Sequence, residues 1–200
     1  MINIKTLIAT SLLATQIPTL AANLHGNTIP KELERLLQPS EALIEFQVAD
    51  LDGDGRSDYL FVVEDRTSGV DLPLESHARL LKIAIRLPDG GLKVVKSSDK
   101  AILCAKCGET SGDDFAGISA STKEFAVHHH GGFLWRCGKT FKFRYSRLDN
   151  TWQLVSVNTG SLRLTDPAKP FSAELRPPDD FGKIDISNFD STSFACKASE

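Results

Sequence analysis

The chain contains 200 residues, with 23 Lys and Arg against 26 Asp and Glu, and its formal net charge at pH 7 is −3. A mildly acidic chain without a basic cluster is poorly suited to nucleic acids, because their binding depends on neutralising phosphates. The length is sufficient for one domain with a buried core.

Residues 1–21 have the pattern of a cleavable export signal. A short segment with one Lys is followed by a mostly apolar run, and small residues then offer a cleavage site after Ala21. The apolar run is interrupted and is too short for a membrane span. We therefore predict a periplasmic or secreted protein in which residues 22–200 form a single β-rich domain.

One short helix and two strands are predicted next along the chain. Residues 28–37 predict the helix, because Pro30 suits a first helical turn and the leucines that follow form a stripe. Residues 43–49 and 59–64 predict two strands, which flank a loop rich in Asp and Gly.

The remaining pattern is dominated by strands. Residues 78–87 and 92–96 flank the turn Pro-Asp-Gly-Gly, which is a strong hairpin signal. Further strands are predicted at 115–120, 124–130, 135–145 and 152–157. Residues 165–180 are rich in Pro and Asp and predict a loop-rich C-terminal tail, and 184–189 predict a last strand or a docking segment. The expected fold is mainly β, α+β at the margin: an antiparallel sheet or meander with one short N-terminal helix.

The most informative motif is the acidic loop between the first two predicted strands. It places Asp50, Asp52, Asp54 and Asp58 within nine residues, together with two glycines. Calcium takes six to eight oxygen ligands, and short Asp side chains at alternate positions can direct carboxylates onto one ion. Four like charges so close together repel one another unless a cation compensates them. The loop predicts a strand–loop–strand Ca²⁺ site; the alternative is an acidic surface turn without an ion.

The loop does not have the pattern of an EF-hand. An EF-hand requires a bidentate Glu at its twelfth position, which counted from Asp50 is Phe61. Residues 48–60 instead resemble the calcium loop of FG-GAP/VCBS repeats. The resemblance implies that the ion is held by the side chains of Asp50, Asp52, Asp54 and Asp58 and by the backbone carbonyl of Arg56. Those repeats are best known from β-propellers, which contain several copies, whereas this chain has one.

A wider resemblance covers most of residues 22–200. The acidic loop and the hairpin are followed by Leu-Cys-x-x-Cys-Gly at 103–108, Gly-Gly-x-x-Trp at 131–135 and Phe-Arg-Tyr at 143–145. A set of uncharacterised bacterial exported proteins has similar motifs in the same order. The resemblance implies export and supplies no activity.

The four cysteines indicate an oxidising compartment. Cys104 and Cys107 form a C-x-x-C pair, Cys137 lies in a predicted strand, and Cys196 is close to the end of the sequence. Four cysteines permit three pairings. We favour Cys104–Cys107 with Cys137–Cys196, since the second bond would tether a tail that otherwise frays. A cross-pairing of the two sets is the alternative.

Two further motifs have a chemical and a structural interpretation. His128, His129 and His130 would alternate between the faces of a strand, and a zinc site needs three or four converging ligands, so a polar strand end is favoured. A redox role for Cys104 and Cys107 would need a helix N-terminus to lower the thiol pKa. Loop composition follows Cys107, so a structural disulfide is favoured.

No motif for a nucleophile, a zinc protease or a phosphate-binding loop occurs. We therefore expect an exported, non-catalytic, calcium-binding and disulfide-stabilised module, which can have a protein partner in the periplasm. Two alternatives remain: a periplasmic inhibitor or immunity protein that binds such a partner, and a thiol-redox or hydrolytic enzyme.

Overall fold

The computed structural model describes residues 28–67, 77–108 and 112–196. The export signal predicted at 1–21 lies outside the described residues. Within them, no helix has the length and apolar character needed to cross a membrane.

In the described part of the chain, nine strands form two antiparallel sheets in which the strand order follows the sequence. The first sheet contains β1 (Glu41–Ala49), β2 (Asp58–Asp65), β3 (Arg79–Arg86) and β4 (Leu92–Ser98). The second contains β5 (Phe115–Ser121), β6 (Glu124–Gly131), β7 (Trp135–Ser146), β8 (Thr151–Arg163) and β9 (Asp166–Leu175). A short helix, α1 (Lys31–Glu34), precedes β1 and is shorter than the predicted span 28–37. The predicted mainly β, antiparallel fold with one short helix is confirmed.

The first sheet is buried on both faces because β2 alternates between two apolar clusters. Leu60 and Val62 belong to an inter-sheet core, to which both sheets contribute. Phe61 and Val63 face the other way, into a helix-side core that also contains Leu33 of α1. These four side chains of β2 are fully buried, as the two-residue period of a strand between two layers requires.

The two sheets meet along β1 and β5 through side chains. The amide Nε2 of Gln47 donates to the carbonyl of Ile118 at 3.1 Å. The backbone N–H of Ile118 donates to a carboxylate oxygen of Glu45 at 3.3 Å. These contacts fix β1 of the first sheet against β5 of the second.

The prediction of a loop across 165–180 is wrong for most of its length, because Asp166–Leu175 forms β9. This strand pairs with β8, from Val157 opposite Leu175 to Arg163 opposite Asp166. The segment contains two prolines, which lack the N–H that a central strand must donate. It is tolerated here because β9 is the last strand of the sheet, where one side of the backbone needs no partner.

Residues 184–189, predicted as a last strand or a docking segment, dock beside β8. The N–H of Leu154 donates to the carbonyl of Ile184 at 2.9 Å, and the N–H of Ile186 donates to the carbonyl of Trp152 at 3.0 Å. The side chains of Ile186 and Phe189 are buried in the inter-sheet core. The segment thus closes the core beyond the end of β9.

Candidate metal centre

The loop between β1 and β2 brings three of its four aspartates together. Asp50, Asp52 and Asp58 each offer a carboxylate oxygen, and these oxygens lie within 4.8 Å of one another. Two glycines make the required turn, since Gly53 and Gly55 have φ angles of 78° and 87°, values that L side chains rarely adopt. The predicted convergence of carboxylates is therefore present for these three residues.

The carboxylate of Asp58 is the most rigidly held in this cluster. It is the first residue of β2 and is completely buried. Its two oxygens accept backbone N–H groups from Leu51 and Arg86, both at 2.8 Å. Burial raises the pKa of Asp58, the two hydrogen bonds oppose that shift, and the negative charges of Asp52 and Asp54 add to it.

Asp50 is held by the loop that follows it. One of its oxygens accepts the N–H groups of Gly53 at 2.7 Å and Asp54 at 3.0 Å. The other accepts the N–H of Gly55 at 3.1 Å. The backbone therefore wraps around this carboxylate and orients it before any ion is bound.

Asp52 is half-buried beside these two residues. Burial raises its pKa, and the neighbouring negative charge of Asp54 raises it further. The shifted pKa values of Asp52 and Asp58 have the same origin: carboxylates are crowded together and partly removed from water. A cation placed among them would favour their charged forms.

The structure does not bring Asp54 into the group of three. Its carboxylate pairs with the guanidinium of Arg56 and also accepts the Arg56 backbone N–H at 2.8 Å. The Arg56 Nε donates to the carbonyl of Arg86 at 2.8 Å. The predicted roles of Asp54 and of the Arg56 carbonyl as ligands stay predictions.

The loop is anchored on the second sheet as well as on its own strands. Leu51 is fully buried in the inter-sheet core, and its carbonyl accepts the indole N–H of Trp152 at 2.9 Å. The N–H of Lys123 donates to the Asp50 carbonyl at 2.8 Å, and the Lys123 side chain lies over Gly53. Neither Lys123 nor Trp152 belongs to a motif that relates it to the loop, so the sequence did not indicate these contacts.

The donor set fits a hard divalent cation. It consists of carboxylate oxygens, and calcium and magnesium prefer oxygen ligands. Each carboxylate oxygen has two acceptor sites. The Asp50 oxygen that accepts Gly55 and the two Asp58 oxygens accept one N–H group each, so they keep capacity for an ion. Asp50, Asp52 and Asp58 would hold such an ion, and Ca²⁺ fits better than Mg²⁺ because it accepts irregular geometry with more ligands.

The alternation of side chains along β6 places the three consecutive histidines in different surroundings. His129 is buried, with its ring 5.6 Å from the ring of Phe141. His128 lies on the other face, where its two ring nitrogens contact Ser119 and Thr140 at 3.0 and 3.2 Å. His130 is exposed. Within the described residues, the only cluster of three or more His, Cys, Asp or Glu ligand atoms is the aspartate group.

The favoured pairing of the cysteines is confirmed. Cys104 is bonded to Cys107, and Cys137 in β7 is bonded to Cys196. The Cys104–Cys107 pair closes a tight turn in which the N–H of Cys107 donates to the carbonyl of Cys104 at 3.1 Å. In the described residues no helix begins at this pair, and a helix N-terminus is the usual means of lowering a thiol pKa.

Comparison with known proteins gives no relative for this arrangement: no family model matches the chain, and neither does any curated protein or solved structure.

Proposed function

We propose that this chain is an exported, non-catalytic module that binds Ca²⁺ through the loop between β1 and β2 and is stabilised by two disulfides. The observation that carries the proposal is the convergence of Asp50, Asp52 and Asp58 within 4.8 Å. The two disulfides support an oxidising compartment, where calcium is available at the concentrations that extracellular modules need, on the order of 10⁻⁴–10⁻³ M.

The environment of the loop favours a structural ion over a regulatory one. A switch requires an element with two arrangements whose balance the ligand shifts. Here Asp50 and Asp58 are already fixed by backbone hydrogen bonds, and Leu51 is fixed in the core. Calcium would neutralise the repulsion among the carboxylates and so stabilise a geometry that the chain itself imposes.

We expect calcium to raise the melting temperature of the protein and EGTA to reverse the rise. For a dissociation constant on the order of 10⁻⁴ M, millimolar calcium that binds only the folded state adds about 1.4 kcal/mol to the free energy of unfolding. Asp52→Asn should abolish most of this gain, because it removes a charged ligand from a half-buried position. Differential scanning calorimetry with and without millimolar CaCl₂ measures both effects.

The matched control is Asp179→Asn, which makes the same chemical change at an exposed position and should leave the calcium response intact. A second titration with MgCl₂ should give a smaller shift than CaCl₂. If millimolar calcium leaves the melting temperature of the wild-type protein unchanged, the proposed site does not bind the ion.

A further inference from the structure

A cavity of about 490 Å³ lies between the two disulfides, at the end of the second sheet that is remote from the acidic loop. Cys107 and the Cys137–Cys196 bond line it, and Phe133, Leu134 and Trp135 contribute its apolar rim. Its volume is within the range of sites that take small molecules, roughly 300–1,000 Å³. It shares no lining residue with the aspartate cluster.

The inner face of the second sheet changes from apolar to polar as it approaches this cavity. In one row across the sheet, Val127, Phe141 and Val157 lie opposite one another and are fully buried. Two residues further along, the corresponding row is His129, Lys139 and Thr159. Polar groups in a sheet interior are costly unless they find partners, so this end of the sheet differs from an ordinary core.

His129 is the most unusual member of the polar row. It is 5% exposed, it lines the cavity, and its Nε2 atom has no hydrogen-bond partner. The ring donates a hydrogen bond to the backbone of Ala101. A neutral imidazole has one donor and one acceptor nitrogen. With the ring proton used by Ala101, Nε2 is an acceptor, and a ligand beside it would have to supply a hydrogen-bond donor.

The cavity also carries positive charge in a protein whose net charge is negative. Lys139 lies directly opposite His129 on β7 and lines the cavity, whereas the exposed Arg136 lies on the other face of this strand. The guanidinium of Arg163 lies over the ring of Trp135 at 5.3 Å, at the rim. Of the residues that the structure describes, Asp114 is the one acidic residue that lines the cavity, so Lys139 and Arg163 together leave an excess of positive charge there. An anionic group on a ligand complements this excess.

The rim exposes apolar side chains to solvent. Phe133 is 73% exposed and Leu134 is 59% exposed, next to each other at the turn between β6 and β7. Large apolar side chains grouped beside a cavity commonly mark a binding surface. They would cover the apolar part of a ligand whose charged part reaches Lys139 inside.

We propose that this cavity binds a small amphiphilic acid: a molecule with an aromatic or aliphatic body, one anionic group and one hydrogen-bond donor. The body packs against Phe133, Leu134 and Trp135. The anionic group pairs with Lys139, where the charge of Arg163 at the rim adds to the attraction, and the donor reaches Nε2 of His129. The assignment is independent of the calcium site.

Anilinonaphthalene sulfonate is a suitable probe, because it combines an aromatic body, a sulfonate and an anilino N–H. We expect the intact, oxidised protein to bind one molecule per chain in a saturable manner. N-phenylnaphthylamine has the same aromatic body and N–H without the sulfonate, and it should bind roughly tenfold more weakly because the charged pair is missing. Fluorescence titration of both dyes gives the two dissociation constants.

Substitutions in the cavity test which side chains bind the dye. Lys139→Gln should weaken the sulfonate dye roughly tenfold and leave the uncharged dye unchanged. Arg163→Gln changes an exposed side chain at the rim, and it should act in the same direction. Lys31→Gln on α1 and Asp179→Asn, both at exposed positions, are the controls and should change neither dissociation constant.

Three results would overturn the proposal. The first is equal affinity for the two dyes, which would mean that only apolar surface is recognised. The second is binding that does not saturate at one molecule per chain. The third is an unchanged sulfonate affinity in both Lys139→Gln and Arg163→Gln. Near-ultraviolet circular dichroism of each variant shows that a loss of affinity is not a loss of fold.

Discussion

We expect replacement of both Cys137 and Cys196 by Ser to lower the free energy of unfolding by about 4 kcal/mol. The bond joins residues 59 positions apart, and closing a loop of this length in the unfolded chain accounts for roughly that amount in the chain-entropy description. The loss is large beside a typical total stability of about 5–15 kcal/mol. Urea denaturation of the oxidised wild-type protein and the double variant measures the difference.

The Cys104–Cys107 disulfide provides the control for this effect. Cys104 and Cys107 are three positions apart, so the same reasoning gives no more than about 2 kcal/mol for their replacement by Ser. Equal losses in the two double variants would contradict the entropic explanation. The residues before Cys196 also contribute: the ring of Phe189 lies 4.9 Å from that of Phe141. This aromatic contact should keep the C-terminal segment docked in part after the bond is removed.

Acidification should destabilise the protein through His129. Burial, and then the positive charge of Lys139, lower the pKa of this ring from 6.5 to about 4, while Ala101 and Asp113 oppose the shift and His128 adds to it. Between pH 6.5 and about pH 4, the His129 ring is protonated in the unfolded chain but stays neutral in the folded chain. The corresponding stability is therefore complete above pH 6.5 and is lost as the pH falls through about 4, to a total of about 3 kcal/mol.

The test is the free energy of unfolding between pH 7 and pH 4 in the wild-type protein and in His129→Gln. The variant should be less stable at pH 7 but should show a shallower decline, because its side chain does not titrate. His130→Gln, at an exposed position on the same strand, should keep the wild-type slope. Parallel pH profiles for wild-type protein and His129→Gln would show that this ring is not responsible.

Local sequence patterns predicted the features that depend on neighbouring residues. The two-residue alternation predicted β1 and β2, and Pro-Asp-Gly-Gly predicted the β3–β4 hairpin, in which Gly90 has a φ angle of 86°. The spacing of Asp50, Asp52 and Asp58 predicted their convergence, because a short loop between paired strands leaves few other arrangements. The pairing of the cysteines was favoured because a bond near the end of the chain tethers the C-terminal segment, although spacing alone left a cross-pairing open.

Features that depend on distant residues were not predictable. The contact between Trp152 and Leu51 joins positions 101 residues apart, and no local pattern relates them. The strand β9 was missed because its prolines argue against a strand unless its place at the sheet edge is known. The pairing of Asp54 with Arg56 was missed because the choice between a cation and a guanidinium depends on side-chain geometry.

The hydrogen bond from Trp152 to Leu51 has a practical consequence for spectroscopy. The chain has two tryptophans; Trp152 contacts the acidic loop, and Trp135 lines the cavity. Each proposed site therefore has its own intrinsic fluorophore. Emission from a Trp135→Phe protein reports on the loop alone, and emission from a Trp152→Phe protein reports on the cavity alone. Occupancy of the two sites can thus be followed separately without an attached label.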